Sequence, residues 1–378
     1  MAKKLPLSYV ELSRKNLEHN LKSLRSITKH GTKIAFAIKG NAYGHGQNEI
    51  AKIAEKHCDY FIVNSFEELR LLRVVSKKPT FVLGYISPDL LPEAIKLGCI
   101  LSIFSKQQFQ EVETIAKKLK KIQEVHIAVD ALLGREGFLE SELSDFLCEA
   151  IQSKHIRITG IYAHFANIED TNNFTHAERQ IAAYNNMLEI AKSAGCVNLQ
   201  THISATSGIL AYEKGDGMHA VVRTGIGAYG LWPSGHLEYA YKKKMSLLPV
   251  LSWKTHVAQV KIIPADRTIG YGLTYTTRKK TTIALLPQGY ADGYSRALSN
   301  KGYVLIRGKK CPVLGRVSMN MFVVDVSKSG PVKEGDEVVL LGSQGKQEVT
   351  AEELGELSGT INYEVTTRIN PLLPRIVI

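Results

Sequence analysis

The chain has 378 residues, a formal net charge of +12 and five widely spaced cysteines. That length exceeds one ordinary core and calls for two domains, and 44% apolar against 22% charged residues excludes a disordered or fibrous chain. No apolar run is long enough for a bilayer span and none follows Lys3 and Lys4, while Cys58, Cys99, Cys148, Cys196 and Cys311 form no C-x-x-C pair; the expectation is a cytoplasmic protein without secretory signal, membrane span or disulfide framework.

From residue 33 to residue 230 short β-rich apolar runs alternate with longer helical patterns. The runs are Lys33–Lys39, Tyr60–Asn64, Pro79–Gly84, Cys99–Ser105, Glu124–Asp130, Arg157–Ala166, Leu199–Thr206 and Ala220–Gly230. Between them Ser65–Ser76, Lys106–Lys121 and Thr175–Ala194 carry apolar residues at helical spacing. Strand–helix alternation implies βαβ crossovers and a parallel sheet, and eight strands in this length point to a closed (β/α)8 barrel of the TIM type. After Tyr241-Lys242-Lys243-Lys244 the character changes. From Leu248 the runs are short, alternating and broken by turns, which predicts a mostly antiparallel C-terminal β domain with one short helix over Glu352–Leu357 and a closing Pro374-Arg375-Ile376. The expected domains are therefore 1–242 and 243–378, with the leading residues, to about position 10, as candidates to pack on the β domain.

The basic residues fall in short local runs such as Lys242–Lys244 and Lys309–Lys310, without interleaved aromatics. A solvated surface explains them, and neither nucleic acid nor membrane is expected as a partner. Gly225-Ile-Gly-Ala-Tyr-Gly230 matches G-x-G-x-x-G but runs into Trp232-Pro233, where a dinucleotide fingerprint would open a helix. None of the twelve histidines pairs at zinc spacing, so no metal is expected.

Lys39 ends the first apolar strand and enters Gly40-Asn41-Ala42-Tyr43-Gly44-His45-Gly46. A lysine there sits in a desolvated base, and burial disfavours the ammonium. Such an amine suits imine formation with a carbonyl and serves as a base near neutral pH. A lysine snorkelling at a strand end is the commoner case when nothing else is known.

The stretch Ala37–Gly46 resembles the cofactor-lysine motif of the alanine racemase family, nearly residue for residue. The resemblance continues in order through both halves: Val129-Asp130, Gly134-Arg135 and Gly137-Phe138; Gly160–Ala166 around His164; Ser204–Gly208; Arg223–Gly230; Gly270–Tyr275; Gly289–Gly293; Gly315–Met319; and Ile361–Val365. It implies a pyridoxal 5'-phosphate barrel followed by a β domain. It places Lys39 and Tyr271 as opposed bases for the D- and L-isomer of alanine, because a single base would return the proton to the face it left. His164 is the candidate relay to Tyr271, with Arg223 behind it and against the cofactor's pyridine nitrogen. An arginine there can only donate a hydrogen bond, which leaves that nitrogen neutral.

The resemblance further implies Tyr43, Thr206, Gly225, Ile226 and Tyr363 as the phosphate cradle. Arg135 would bind the substrate carboxylate or a cofactor oxygen, and Tyr290 and Met319 would narrow the pocket to a methyl-sized side chain. It implies a head-to-tail homodimer whose β domain completes the partner's active site, and a product that feeds peptidoglycan synthesis. A racemase of another amino acid such as serine, or of broad specificity, is the alternative; a non-catalytic pyridoxal-phosphate carrier is the alternative of a different class, although it would need neither Tyr271 nor a β domain.

Six positions, at four places in the chain, depart from the family pattern. Ala128 replaces a lysine whose carbamate positions the arginine, so Arg135 is expected to be held by Asp130, an anion or water. Ala131-Leu132-Leu133 replaces Thr-Gly-Met. Asn320 stands where an acid is usual after Met319, and Thr224 where proline is usual after Arg223.

Overall fold

The computed structural model describes residues 6–378 except 170, 172 and 213–218. The first strand, β1 (Tyr9–Leu12), belongs to a sheet built otherwise from the C-terminal part of the chain. The next eight are β2 (Lys33–Ala37), β3 (Tyr60–Val63), β4 (Thr80–Val82), β5 (Ile100–Ile103), β6 (Gln123–Ala128), β7 (Ile156–Tyr162), β8 (Gln200–His202) and β9 (Val221–Thr224). They form one sheet in the order β8-β7-β6-β5-β4-β3-β2-β9, every ladder parallel. Past the ladders, the N–H of Arg223 donates to the carbonyl of Ser204 at 3.0 Å, which carries the end of β9 onto the segment after β8 and closes the ring. The expected (β/α)8 barrel is what these residues build, because strands such as β3 and β5 are buried on both faces and a parallel sheet tolerates no wet side.

The helices follow from local chemistry. Ser65 and Ser105 cap Phe66–Arg73 and Lys106–Lys118, each hydroxyl accepting the N–H three residues on. Leu69 and Leu72 of the first, and Phe109 and Val112 of the second, are fully or nearly fully buried.

The later strands are β10 (Leu251–His256), β11 (Gln259–Ile263), β12 (Thr268–Ile269), β13 (Tyr275–Thr276), β14 (Thr281–Leu286), β15 (Tyr303–Ile306), β16 (Lys309–Leu314), β17 (Phe322–Asp325), β18 (Glu337–Gln344), β19 (Gln347–Val349) and β20 (Arg375–Val377). Their main sheet runs β11-β14-β17-β16-β15-β18-β10-β1-β20, with β19 on β18, and is antiparallel apart from the β1–β20 pair. The helix expected at Glu352–Leu357 spans Ala351–Ser358, with a Thr350–Glu353 capping box.

Two compact units result. One contains Leu17–Gly40 and Ile50–Leu248; the other contains the N-terminal residues through Asn16, Asn41–Glu49 and Pro249–Ile378. The change of unit near the C-terminal half thus falls between Leu248 and Pro249, and a nine-membered segment just after Lys39, Asn41–Glu49, groups with the β unit rather than the barrel.

Candidate active site

In the barrel unit the chain leaves β2, the Ile38 N–H bonds to the Ile62 carbonyl at 2.9 Å, and Lys39 opens a tight turn over Lys39–Tyr43. The turn is left-handed: Gly40, Asn41, Ala42, Tyr43 and Gly44 have φ of 61°, 52°, 54°, 53° and 84°. Three of these are not glycine, and each costs about 1–2 kcal/mol in this conformation. Such strain persists only where the surroundings over-determine it, and it concentrates at functional sites.

Burial holds the Lys39 ammonium pKa below its ordinary value, with Arg135 and Arg223 acting in the same direction and Glu68 and Glu136 opposing them. Glu68 also works mechanically. One carboxylate oxygen accepts the Gly40 N–H at 2.6 Å, the other accepts the Asn64 N–H at 2.7 Å. It thereby pins the residue after Lys39 to the end of β3.

Arg223, on β9, is 6% exposed. Its Nη2 donates to the carbonyls of Ala163 and Ile203, both at 2.6 Å, and to His164 Nδ1 at 3.2 Å; its guanidinium lies over the Tyr162 ring. One buried cation thus ties the mouth ends of β7, β8 and β9. An arginine has no lone pair to offer, so His164 Nδ1 is the acceptor and the proton sits on Nε2. Burial, then Arg223, Arg135 and Lys39, push the His164 pKa down to about 3, which keeps the ring neutral.

After β8 and β9 the chain makes two short helical turns, Thr206–Ala211 and Ile226–Tyr229. Thr206 Oγ1 accepts the N–H groups of Gly225 at 3.1 Å and Gly227 at 3.4 Å. Ser204 Oγ and Thr224 Oγ1 are buried beside these turns with no hydrogen-bond partner.

Of the candidates to hold Arg135, namely Asp130, an anion or water, Asp130 is corrected by the structure. The Asp130 carboxylate accepts the backbone N–H groups of Leu133 and Gly134, while Arg135 Nε and Nη2 engage the two carboxylate oxygens of Glu136, the latter at 2.8 Å.

In the β unit, Tyr43 and Tyr363 are half-buried and pack with ring centroids 6.0 Å apart. Gly44 allows this closeness, since a Cβ there would lie 1.8 Å from the Thr366 carbonyl oxygen. Tyr271 is 74% exposed, displayed on a short turn between Gly270 (φ 73°) and Gly272 (φ 69°). Tyr290 and Met319 share one pair of crossed backbone bonds, Tyr290 N–H to Ser318 and Ala291 N–H to Met319, and both side chains are exposed. Lys39, Arg135, His164, Thr206, Arg223, Gly225 and Ile226 therefore collect in the barrel unit, and Tyr43, Tyr271, Tyr290, Met319 and Tyr363 in the β unit.

Sequence reasoning missed Glu68 and Glu136. Ser65-x-x-Glu68 is a legible capping-box signal, although it points to Ser65 rather than to Gly40. Nothing in the pattern marks Glu136. The buried row Ser102, Tyr162, His202 and His126 was missed as well: Ser102 meets the Tyr162 hydroxyl at 2.5 Å, Tyr162 stacks on His202, and His202 bonds His126 at 2.9 Å.

A closed parallel barrel with a desolvated lysine at one strand end, its ammonium disfavoured by two arginines, in a chain with an antiparallel β unit, defines a class of two-part barrel enzyme. Two family models match this chain: "Alanine racemase, N-terminal domain" over residues 12–233 and "Alanine racemase, C-terminal domain" over residues 250–377. The alanine racemase of Symbiobacterium thermophilum is 35% identical over 370 residues, covering 97% of this chain and 96% of the relative. Alanine racemase 2 of Bacillus subtilis is 36% identical over 373 residues, covering 97% and 93%. Among solved structures, alanine racemase from Clostridium difficile 630 superposes with a TM-score of 0.92 at 32% identity, covering 100% of this chain and 97% of that one. The Bacillus anthracis enzyme with bound L-Ala-P gives 0.92 at 31%, covering 100% and 96%. The chain belongs to the alanine racemase family.

Proposed function

We propose that this chain interconverts L- and D-alanine with pyridoxal 5'-phosphate as cofactor, Lys39 and Tyr271 moving the Cα proton on opposite faces of the substrate. The observation that carries the reading is the Lys39 amine, desolvated and flanked by Arg135 and Arg223, an environment suited to an aldehyde on an anionic ligand. The donor set fits the cofactor's other groups. The Thr206 hydroxyl, the glycine turn at Gly225–Ile226 and the partnerless buried hydroxyls of Ser204 and Thr224 lie at or just after the ends of the last two barrel strands, where barrels commonly hold phosphate. Tyr43 and Tyr363 would add their phenols. Bound there, pyridoxal phosphate would supply an electron sink that acidifies the substrate Cα–H.

The protein's own groups do the rest. Lys39 Nζ, whose pKa burial and the neighbouring arginines lower, takes or returns the proton of the D-isomer. Tyr271 Oη does so for the L-isomer, and neutral His164 would link that phenol to Arg223 as a hydrogen-bond bridge, its Nδ1 accepting from Arg223 and its Nε2–H donating to the phenol oxygen. Arg223 can donate but not accept, so it would hold the cofactor's pyridine nitrogen by a hydrogen bond without protonating it, which would make the bound cofactor a weaker electron sink. Arg135 takes the substrate carboxylate, and Tyr290 and Met319 restrict the side chain to methyl size.

Tyr271, Leu273, Tyr290, Met319, Met321 and Ile361 leave apolar surface exposed on the β unit. This supports a homodimer in which that surface of one copy completes the other's site. Five free cysteines fit a reducing cytoplasm, where D-alanine would supply peptidoglycan precursors.

The test is solvent-deuterium exchange at Cα of L- and D-alanine, run beside serine, lysine and arginine. Exchange with inversion for alanine is expected. Faster exchange with serine or a basic amino acid would replace alanine as the substrate, and no exchange with any of them would end the racemase reading.

A further inference from the structure

The loop between β6 and the helix Glu140–Ala150 is closed at its base by two backbone bonds, Asp130 N–H to Phe138 at 3.0 Å and Phe138 N–H to Ala128 at 3.0 Å. Within it the chain doubles back tightly. Leu132, Gly134 and Gly137 have φ of 64°, 73° and 128°, and a Cβ on Gly137 would lie 2.6 Å from the Asp130 nitrogen. Side chains of consecutive residues normally diverge. Here the left-handed residues on either side bring Arg135 and Glu136 together, and the guanidinium meets both carboxylate oxygens.

We propose that Glu136 is the positioning residue that fixes the Arg135 guanidinium for the substrate carboxylate, an assignment that rests on the racemase reading. No other side chain in the loop is available for the task. Ala128 is buried and has no polar group, and the Asp130 carboxylate is committed to the N–H groups of Leu133 and Gly134. A two-point Arg–carboxylate pair sets the plane of the guanidinium as well as its place. The pair contributes little to folding. Arg135 and Glu136 side chains are 57% and 30% exposed, and exposed ion pairs are screened by water. What it supplies is orientation, and a negative charge close to a strongly cationic site. Among the described residues, the groups acting on Lys39 are Arg135, Arg223, Glu68, Glu136 and His164; of these only the two glutamates oppose the arginines.

Two measurements on Glu136→Gln test this, with Glu136→Asp as the conservative control. In the loaded enzyme, KM for L-alanine should rise about tenfold with a smaller change in kcat, and the thermal midpoint should stay at the parent value. In the full-length chain stripped of cofactor, lysines are dimethylated with 13C and the Lys39 signal is identified by its loss in Lys39→Ala. Its titration midpoint should move to lower pH in E136Q and stay near the parent in E136D. Either KM or the Lys39 midpoint standing still in E136Q overturns the assignment. If E136Q does not fold, E136D carries the test: its shortened carboxylate must raise KM while the Lys39 midpoint holds, and a parental KM overturns the proposal. A parent chain that racemises no alanine would instead remove the racemase reading, while the Lys39 titration would still decide whether Glu136 acts on this site.

Discussion

At Lys39 three influences act in one direction: burial, Arg135 and Arg223 each favour the neutral amine. Lys39→Ala is expected to abolish both the visible absorbance of bound cofactor and racemisation, measured by absorption spectrum and by polarimetry. Tyr271→Phe should retain the cofactor spectrum but lose about 10²–10⁴-fold in exchange from L-alanine, the usual contribution of a positioned acid or base; parental exchange in that variant would displace Tyr271 from the mechanism. Thr206 serves folding and binding together, because its hydroxyl accepts two glycine N–H groups. Thr206→Val keeps the shape and leaves those donors buried and unpaired, at about 1–3 kcal/mol. Urea unfolding of cofactor-free protein should show that loss, and fluorescence titration should show weaker pyridoxal phosphate binding.

Among the elements, the left-handed turn after Lys39 is the most demanding piece of backbone. It is held from several sides. The Gly46 N–H bonds to the Asn41 carbonyl and the Gln47 N–H to the Asn41 side chain, both at 2.9 Å. Arg375 Nη2 reaches the Gly44 carbonyl at 2.9 Å while Nη1 holds the carbonyls of Asn370 and Leu373. Gly44→Ala combines a φ of 84° with a Cβ 1.8 Å from Thr366 O, and should destabilise by about 2–5 kcal/mol in urea unfolding. Gly235 offers the contrast. It opens the helix Gly235–Tyr241, its φ is negative, and a Cβ there meets nothing. Gly235→Ala should be neutral or stabilise by up to about 1 kcal/mol, through a less flexible unfolded chain.

For the molecule as a whole, the buried histidines set the response to acid. Burial lowers His126 and His164 to about 3 and His45 and His219 to about 4, and places His202 well below the ordinary range. An unfolded histidine takes up its proton near ~6.5. Between there and the folded values the unfolded state binds protons that the fold refuses, so stability is greatest above pH 6.5 and falls with falling pH. The slope approaches about 1.4 kcal/mol per pH unit for each such histidine. Urea midpoints at pH 7.5, 6 and 5 should decline steadily; a flat profile down to pH 5 would mean these rings are charged or exposed in the fold.

Periodicity and motif order, read from the residues alone, determined the eight parallel strands, the antiparallel second half, the short helix near residue 352 and the place of Lys39 at a strand end, because each depends on neighbours within a few positions. Tertiary structure decided what depends on distant partners. Strand β1 enters the C-terminal sheet between β10 and β20, and Asn41–Glu49 groups with the β unit though it directly follows a barrel strand; alternation shows that a strand exists but not which edge it will pair with. The exchange of Asp130 for Glu136 as the partner of Arg135 has the same origin. Two carboxylates lie within a few residues of one arginine, and only the fold of the intervening loop, through its left-handed residues, determines which one faces it.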